Sequence, residues 1–89
     1  MIIARLCLVS GRVQGVFFRA TTRSQAHACN VRGYARNLPD GRVEVHAEGE
    51  PDDVDALCDW LWEGPPAAEV TAVDCQAVAP AGYADFTAE

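Results

Sequence analysis

The segment from Gly11 to Arg19 constrains the possible folds of this chain more than any other part of the sequence. Its residues, Gly-Arg-Val-Gln-Gly-Val-Phe-Phe-Arg, follow an apolar run at 2–10 and precede a run at 19–29 with helical spacing of apolar positions. The two glycines permit positive φ, so the backbone can curl and turn successive N–H groups inward. A concave row of amides that opens a helix binds anions, because unpaired N–H groups meet the positive end of the helix dipole there. The alternative interpretation is an ordinary strand–helix loop that ends in a surface arginine.

The rest of the chain continues this strand–helix beginning with two further strands, a second helix and a last strand. Strands are predicted at 31–37, 42–48 and 69–78, and the turn at 38–41, Leu-Pro-Asp-Gly, makes the first two of them a hairpin. A second helix opens at Pro51 and ends before the Gly-Pro-Pro at 64–66. The tail at 79–89 has room for a short fifth strand at the sheet edge.

This order of elements predicts an α+β, ferredoxin-like two-layer sandwich. Its antiparallel sheet would have the strand order 4-1-3-2, with both helices on one face. Cys7 and Val9 are expected to point inward from the first strand. On the third strand, alternation puts His46 on the wet face and its neighbours Val45 and Ala47 in the core.

Length and charge limit the classes of function. A chain of 89 residues with 49% hydrophobic residues predicts one domain, 1–89, and a monomer is expected. All seven basic residues are arginines between Arg5 and Arg42, whereas twelve of the thirteen acids follow Val43. A net charge of −6 without a basic stripe argues against nucleic-acid binding, and no apolar run is long enough to span a membrane. The N-terminal residues do not resemble a signal peptide, which predicts a cytoplasmic location.

The cysteines and histidines do not predict a metal site. Cys7, Cys29, Cys58 and Cys75 are widely spaced, with no Cys-x-x-Cys pair, and neither His27 nor His46 completes a zinc-ligand spacing. An even number of cysteines permits disulfides. We nevertheless expect reduced thiols in the core, because a cytoplasmic chain with an adequate core does not need disulfides.

Two motifs closely resemble the signatures of the acylphosphatase family. The first is the segment 11–19, which is similar to the family's glycine loop ending in Val-Gln-Gly-Val-x-Phe-Arg. The second is Gly-Tyr-Ala-Arg-Asn at 33–37, followed by Gly41, Val43 and Gly49. The resemblance extends from about Cys7 to Val73, and the fold of that family is the same ferredoxin-like sandwich that the element order predicts.

The resemblance implies an enzyme that hydrolyses acyl phosphates without a metal or other cofactor. It assigns Arg19 to the phosphate oxygens and Asn37 to the attacking water. The expected backbone contacts to the phosphate come from the loop residues Arg12, Val13, Gln14, Gly15, Val16 and Phe17. The sequence has no Ser/His/Asp set near the loop, and a carboxylate leaving group, with a pKa of about 4, needs no general acid. The alternative function is a non-catalytic binder or sensor of phosphorylated metabolites.

Overall fold

The sheet has five strands in the order β4-β1-β3-β2-β5, and a computed structural model describes all 89 residues of the chain. The first four strands pair antiparallel, as predicted, and β5 pairs parallel with β2, which makes the sheet mixed. The elements are β1 (Ile3–Arg12), α1 (Phe18–Ala28), β2 (Arg32–Asn37), β3 (Val43–Gly49), α2 (Pro51–Leu61), β4 (Glu69–Val78) and β5 (Phe86–Ala88). The predicted ferredoxin-like fold and its strand order are therefore confirmed, and the possible fifth strand is present.

One hydrophobic core lies between the sheet and the two helices. Cys7 and Val9 are fully buried, as the strand alternation predicted. Helix α1 buries Thr22 and Ala26, while α2 buries the stripe Val54, Leu57, Cys58 and Leu61. Trp60 packs its ring 5.9 Å from that of Phe18, at the edge of the same core. Because the buried residues of each helix repeat at helical spacing, these buried faces can be predicted from the sequence.

Strand β1 extends two residues beyond its predicted end, to Arg12. The register between β1 and β4 shifts between Ser10 and Gly11, so the pairing continues to Arg12 opposite Glu69. Gly11 has a φ of 122°, and a Cβ atom at this position would lie 2.1 Å from the Glu69 carbonyl oxygen. Only glycine fits there, because both the backbone conformation and the close approach exclude a side chain.

The sheet face opposite the helices is partly covered, which corrects the prediction for β3. His46, which the alternation placed on the wet face, is only 7% exposed, and Glu48 on the same side of the strand is 1% exposed. The Glu48 carboxylate accepts hydrogen bonds from the backbone N–H groups of Ala81, Gly82 and Tyr83, and His46 Nε2 lies 2.8 Å from the same carboxylate. The prediction was wrong because the segment after β4 folds back over this face.

The pKa values of two side chains on this covered face, Glu48 and Tyr34, are shifted. Burial acts to raise the pKa of Glu48, but the hydrogen bonds from Ala81, His46 and Gly82 bring it below its usual value. Burial raises the pKa of Tyr34 to about 12, helped by its 2.8 Å hydrogen bond to Glu44. The ionised form of Glu48 is thus the one that holds the returning segment in place.

Two of the four cysteines form a disulfide, contrary to the expected reduced thiols. Cys7 and Cys75 lie directly opposite each other on β1 and β4 and are bonded, whereas Cys29 and Cys58 are free. The Cys58 sulfur lies 3.6 Å from that of Cys7. The predicted strand order made β1 and β4 neighbours, but it did not give the register that brings the two sulfurs together.

Neither α1 nor α2 is long and apolar enough to cross a membrane.

Candidate active site

A pocket of about 330 Å³ lies between the start of α1 and the end of β2. It is lined by Val13, Gly15, Phe17, Phe18, Arg19, Ala20, Asn37 and Ala88. The two residues predicted to be catalytic, Arg19 and Asn37, therefore lie in one pocket although they are far apart in the sequence. The remaining lining side chains are apolar, and no histidine, cysteine or carboxylate side chain is among them.

The loop between β1 and α1 is anchored to the core by two valines. Val13 and Val16 are 1% and 7% exposed, so their side chains pack inside while the intervening backbone lies at the surface. Gly15 and Phe17 have left-handed φ values of 73° and 63°, on either side of Val16, whose φ is not positive. Alternation of this kind turns neighbouring N–H groups toward one side, which favours binding of an anion.

No capping side chain accepts a hydrogen bond from the free backbone N–H groups at the N-terminus of α1. Its N-cap residue, Phe17, makes no side-chain cap hydrogen bond, and no acidic residue lies in the first turn. Helix α2 differs, since Asp52 and Asp53 supply negative charge to its first turn. The positive end of the α1 dipole therefore faces the pocket without an internal counter-charge.

Arg19 is the only cationic side chain that lines the pocket. It is half-buried, and its Nη1 donates a hydrogen bond to the main-chain oxygen of Glu89. Strand β5 brings this oxygen to the pocket, because it pairs in parallel with residues 33–35 of β2 and Glu89 N–H then donates to the Ala35 carbonyl at 2.8 Å. The tail thus positions Arg19, a role that the sequence did not indicate. The only signal was the presence of two aromatic residues, Tyr83 and Phe86, in the tail.

Asn37 is the last residue of β2, and its side chain is exposed at the pocket. The following turn is closed by other groups: Leu38 N–H donates to the Arg42 carbonyl at 2.8 Å, and Asp40 accepts from Arg42 N–H at 3.0 Å. The hydrogen bond from the Arg42 side chain also holds the pKa of Asp40 below its usual value. Since these contacts hold the turn, the Asn37 amide is not needed to shape it.

Gln14 links the phosphate loop to the hairpin that carries Asn37. Its Nε2 donates to the carbonyl oxygens of Leu38 and Arg42, at 2.8 and 3.0 Å. The prediction for Gln14 concerned only its backbone amide. Its side chain is a positioning group that sequence reasoning missed, because nothing local in the sequence identifies two carbonyl partners more than twenty residues away.

The predicted substrate-binding residues divide into two groups. Val13, Gly15 and Phe17 line the pocket, whereas Arg12, Gln14 and Val16 do not. Arg12 belongs to β1 and is exposed, so it lies outside the curled part of the loop.

The two histidines and the cysteines lie away from this pocket. His27 contacts Asp85 at 3.1 Å on the surface, and His46 lies under the returning segment on the outer sheet face. A group of three sulfurs, from Cys7, Cys58 and Cys75, has the proximity of metal ligands, but two of the three are joined in the disulfide.

Comparison with known proteins identifies relatives of this chain. A family model described as Acylphosphatase matches residues 6–88. The chain is 63% identical over 68 residues to an acylphosphatase of Chromohalobacter salexigens, which covers 76% of each chain. It is 56% identical over 81 residues to an acylphosphatase of Halorhodospira halophila, which covers 91% of this chain and 88% of that relative. The structure of an acylphosphatase from Coxiella burnetii superposes with a TM-score of 0.95 at 41% identity, over 99% of this chain and 93% of that one.

Proposed function

Because this chain belongs to the acylphosphatase family, we propose that it hydrolyses acyl phosphates with Arg19 binding the phosphate and Asn37 holding the attacking water. The reaction cleaves the bond between a carboxyl oxygen and phosphorus, and water supplies the oxygen that leaves with inorganic phosphate. One observation carries the proposal. The uncapped N-terminus of α1, the Arg19 side chain and the Asn37 side chain all lie at the same pocket.

The lining of the pocket suits a leaving group that needs no proton. A departing carboxylate has a pKa of about 4, so it leaves as the anion at neutral pH without a general acid. Arg19 and Asn37 are the polar side chains of the lining. Such a site contributes by positioning the reactants and by stabilising charge on the phosphoryl group, which is most of what phosphoryl transfer requires.

Arg19 acts together with the amides at the start of α1. A guanidinium group can bind two phosphate oxygens at once, and the helix amides can bind a third from the other side. The hydrogen bond from Arg19 to the main-chain oxygen of Glu89 holds the side chain at the pocket before substrate binds. Less side-chain freedom is then lost on binding.

Asn37 orients the nucleophile. Its amide offers a donor and an acceptor, so it can hold a water molecule with a lone pair directed at the phosphorus. Its exposure at the end of β2 leaves the amide open to solvent water. Because water is activated by position and not by a base, loss of this amide should affect turnover much more than binding.

Hydrolysis of benzoyl phosphate, measured with and without a chelator, tests the activity and separates it from the alternative of a non-catalytic sensor. We expect full turnover in the chelator. Arg19→Gln should weaken inhibition by inorganic phosphate about 30- to 150-fold, since a charge-assisted contact contributes roughly 2–3 kcal/mol. Asn37→Ala should leave phosphate inhibition nearly unchanged while kcat falls about 10²- to 10³-fold.

Arg23→Gln is the matched control, because Arg23 lies exposed on the same helix and outside the pocket. It should leave both phosphate inhibition and turnover unchanged. Two results would contradict the assignment: equal phosphate inhibition in Arg19→Gln and wild type, or an Asn37→Ala variant that keeps more than about a tenth of its kcat. Loss of activity in the chelator, restored by a divalent ion, would refute the metal-free mechanism.

We further propose that residues 1–89 act as one domain, because a single hydrophobic core joins the sheet and both helices. The monomer stays a prediction. The cytoplasmic location stays a prediction. A disulfide such as Cys7–Cys75 is more typical of oxidising compartments. Alkylation of free thiols in fresh cell extracts would show whether this disulfide forms in the cell, and would thereby test the predicted location.

A further inference from the structure

Two adjacent phenylalanines at the start of α1 have opposite environments. Phe18 is 1% exposed and packs in the core, whereas Phe17 is 83% exposed. Phe17 also has a left-handed backbone, with φ of 63° and ψ of 22°. Bulky residues rarely adopt this conformation, and such positions concentrate at functional sites. Neither packing nor helix capping accounts for an aromatic residue here, because the side chain lies in solvent and makes no cap hydrogen bond.

The position of Phe17 relates it to the pocket. It is the N-cap residue of α1 and lines the pocket together with Arg19 and Asn37. The rest of the lining is apolar: Val13, Phe18, Ala20 and Ala88, with Gly15. The polar groups account for a phosphate and a water molecule, but they offer nothing to the rest of an acyl phosphate.

From this arrangement we propose that Phe17 forms a subsite for the acyl group and makes the enzyme selective for acyl phosphates with aromatic or extended apolar acyl groups. The inference rests on the proposed function, because it assumes that the phosphate binds at the start of α1. A phosphate held by these amides lies beside the N-cap residue, so its acyl substituent can reach the Phe17 ring. An aromatic acyl group can then pack on the exposed face or edge of the Phe17 ring, while acetyl is too small to cover it.

The left-handed backbone of Phe17 is consistent with this role. The left-handed conformation directs the Phe17 side chain outward, while the next residue turns into the core. The exposed ring has no partner until substrate binds. Removal of its apolar surface from water therefore contributes to substrate affinity and not to the folded state.

The test compares benzoyl phosphate with acetyl phosphate for the wild type, Phe17→Ala and Phe17→Tyr. The ratio of the two kcat/KM values cancels any effect on the loop that is common to both substrates. Comparison of this ratio between variant and wild type cancels the intrinsic reactivities of the substrates. We expect Phe17→Ala to lower the benzoyl-to-acetyl ratio about 3- to 10-fold, the range of one aromatic contact. Phe17→Tyr keeps the ring and should keep the ratio within about twofold of wild type.

Trp62→Ala is the matched control, because Trp62 is another exposed aromatic side chain, at 56%, and lies outside the pocket. It should leave the ratio unchanged. If Phe17→Ala slows both substrates equally, Phe17 only supports the loop and the proposal of a subsite is wrong, although the proposed function stands. An unchanged ratio would also overturn the subsite.

Binding of stable analogues separates this proposal from the proposed function. Competition between benzylphosphonate and methylphosphonate for the pocket needs no turnover, so it remains informative if the wild type hydrolyses neither acyl phosphate. We expect Phe17→Ala to reduce the preference for benzylphosphonate by the same 3- to 10-fold. Equal preference in the variant and the wild type would overturn the subsite by itself.

Discussion

Replacement of Gln14 by alanine removes a contact between the two halves of the active site. Its side-chain amide donates to the carbonyls of Leu38 and Arg42, at 2.8 and 3.0 Å, and thereby fixes the phosphate loop to the turn of the hairpin, next to Asn37. Alanine leaves both carbonyls without this donor. The same change frees the end of β2 to move relative to the start of α1.

The expected loss of stability follows from these two hydrogen bonds. Each contributes about 0.5–1.5 kcal/mol net, so their removal lowers the free energy of unfolding by about 1–3 kcal/mol. Each carbonyl keeps a backbone donor, Gly41 N–H for Leu38 and Leu38 N–H for Arg42, and Gln14 is only partly buried. The loss should therefore lie in the lower half of this range. For a domain of this size, 1 kcal/mol corresponds to about 4–8 °C in Tm, so a loss of about 1–2 kcal/mol gives a decrease of about 4–16 °C.

Turnover should fall as well, because the Asn37 amide must be held in register with the bound phosphate. Misplacement of a catalytic group by about 1 Å can reduce a rate by about 10²-fold, so we expect kcat of Gln14→Ala to fall by at least tenfold. Inhibition by inorganic phosphate should change less, since Arg19 and the amides of α1 remain.

Thermal unfolding and steady-state hydrolysis of benzoyl phosphate measure both effects in the same preparation. Gln25→Ala is the matched control, because Gln25 lies on α1 outside the pocket, and it should keep wild-type kcat. Gln14→Glu should be at least as unstable as Gln14→Ala above pH 6, since a carboxylate cannot donate to either carbonyl. A Gln14→Ala variant with unchanged Tm and kcat would refute the coupling between the loop and the hairpin.

Two further predictions concern the covered sheet face and the disulfide. The pKa of Glu48 is lowered in the folded state, so its contribution to stability is complete above its usual pKa and is lost as the pH falls through the lowered value. Glu48→Gln should therefore lose stability at pH 7 and show a weaker decrease of Tm between pH 5 and pH 3; an identical pH dependence in variant and wild type would contradict this role. Reduction of the Cys7–Cys75 disulfide should lower the free energy of unfolding by about 2–4 kcal/mol, because the bond closes a long loop. Thiol titration of the unfolded, unreduced protein should find the two free cysteines, Cys29 and Cys58, and a count of four would show that the disulfide is absent.

The local features of this protein were determined by the sequence alone. The turn residues and glycines placed the loop and the hairpin, and the apolar periodicity identified the strand and helix faces that form the core. Asn30 follows α1 and has a φ of 60°, the left-handed conformation that asparagine tolerates at helix ends. Arg19 and Asn37 were identifiable because both belong to motifs in which residue type and spacing are specific, and the predicted strand order brought them to one end of the sheet. These features depend on residues close together in the chain, where spacing directly reflects geometry.

The tertiary structure decided the features that depend on register and on the path of the tail. Pairing of β1 with β4 sets Cys7 opposite Cys75, and a shift of one residue would put the two sulfurs on opposite faces of the sheet. The segment after β4 determines that Glu48 is buried and ionised, while β5 supplies the main-chain oxygen that holds Arg19. The hydrogen-bond partners of the Gln14 side chain, the carbonyls of Leu38 and Arg42, likewise lie far away in the sequence, at the turn between β2 and β3. None of these contacts has a local sequence signal, because each joins residues whose proximity exists only after the sheet has assembled.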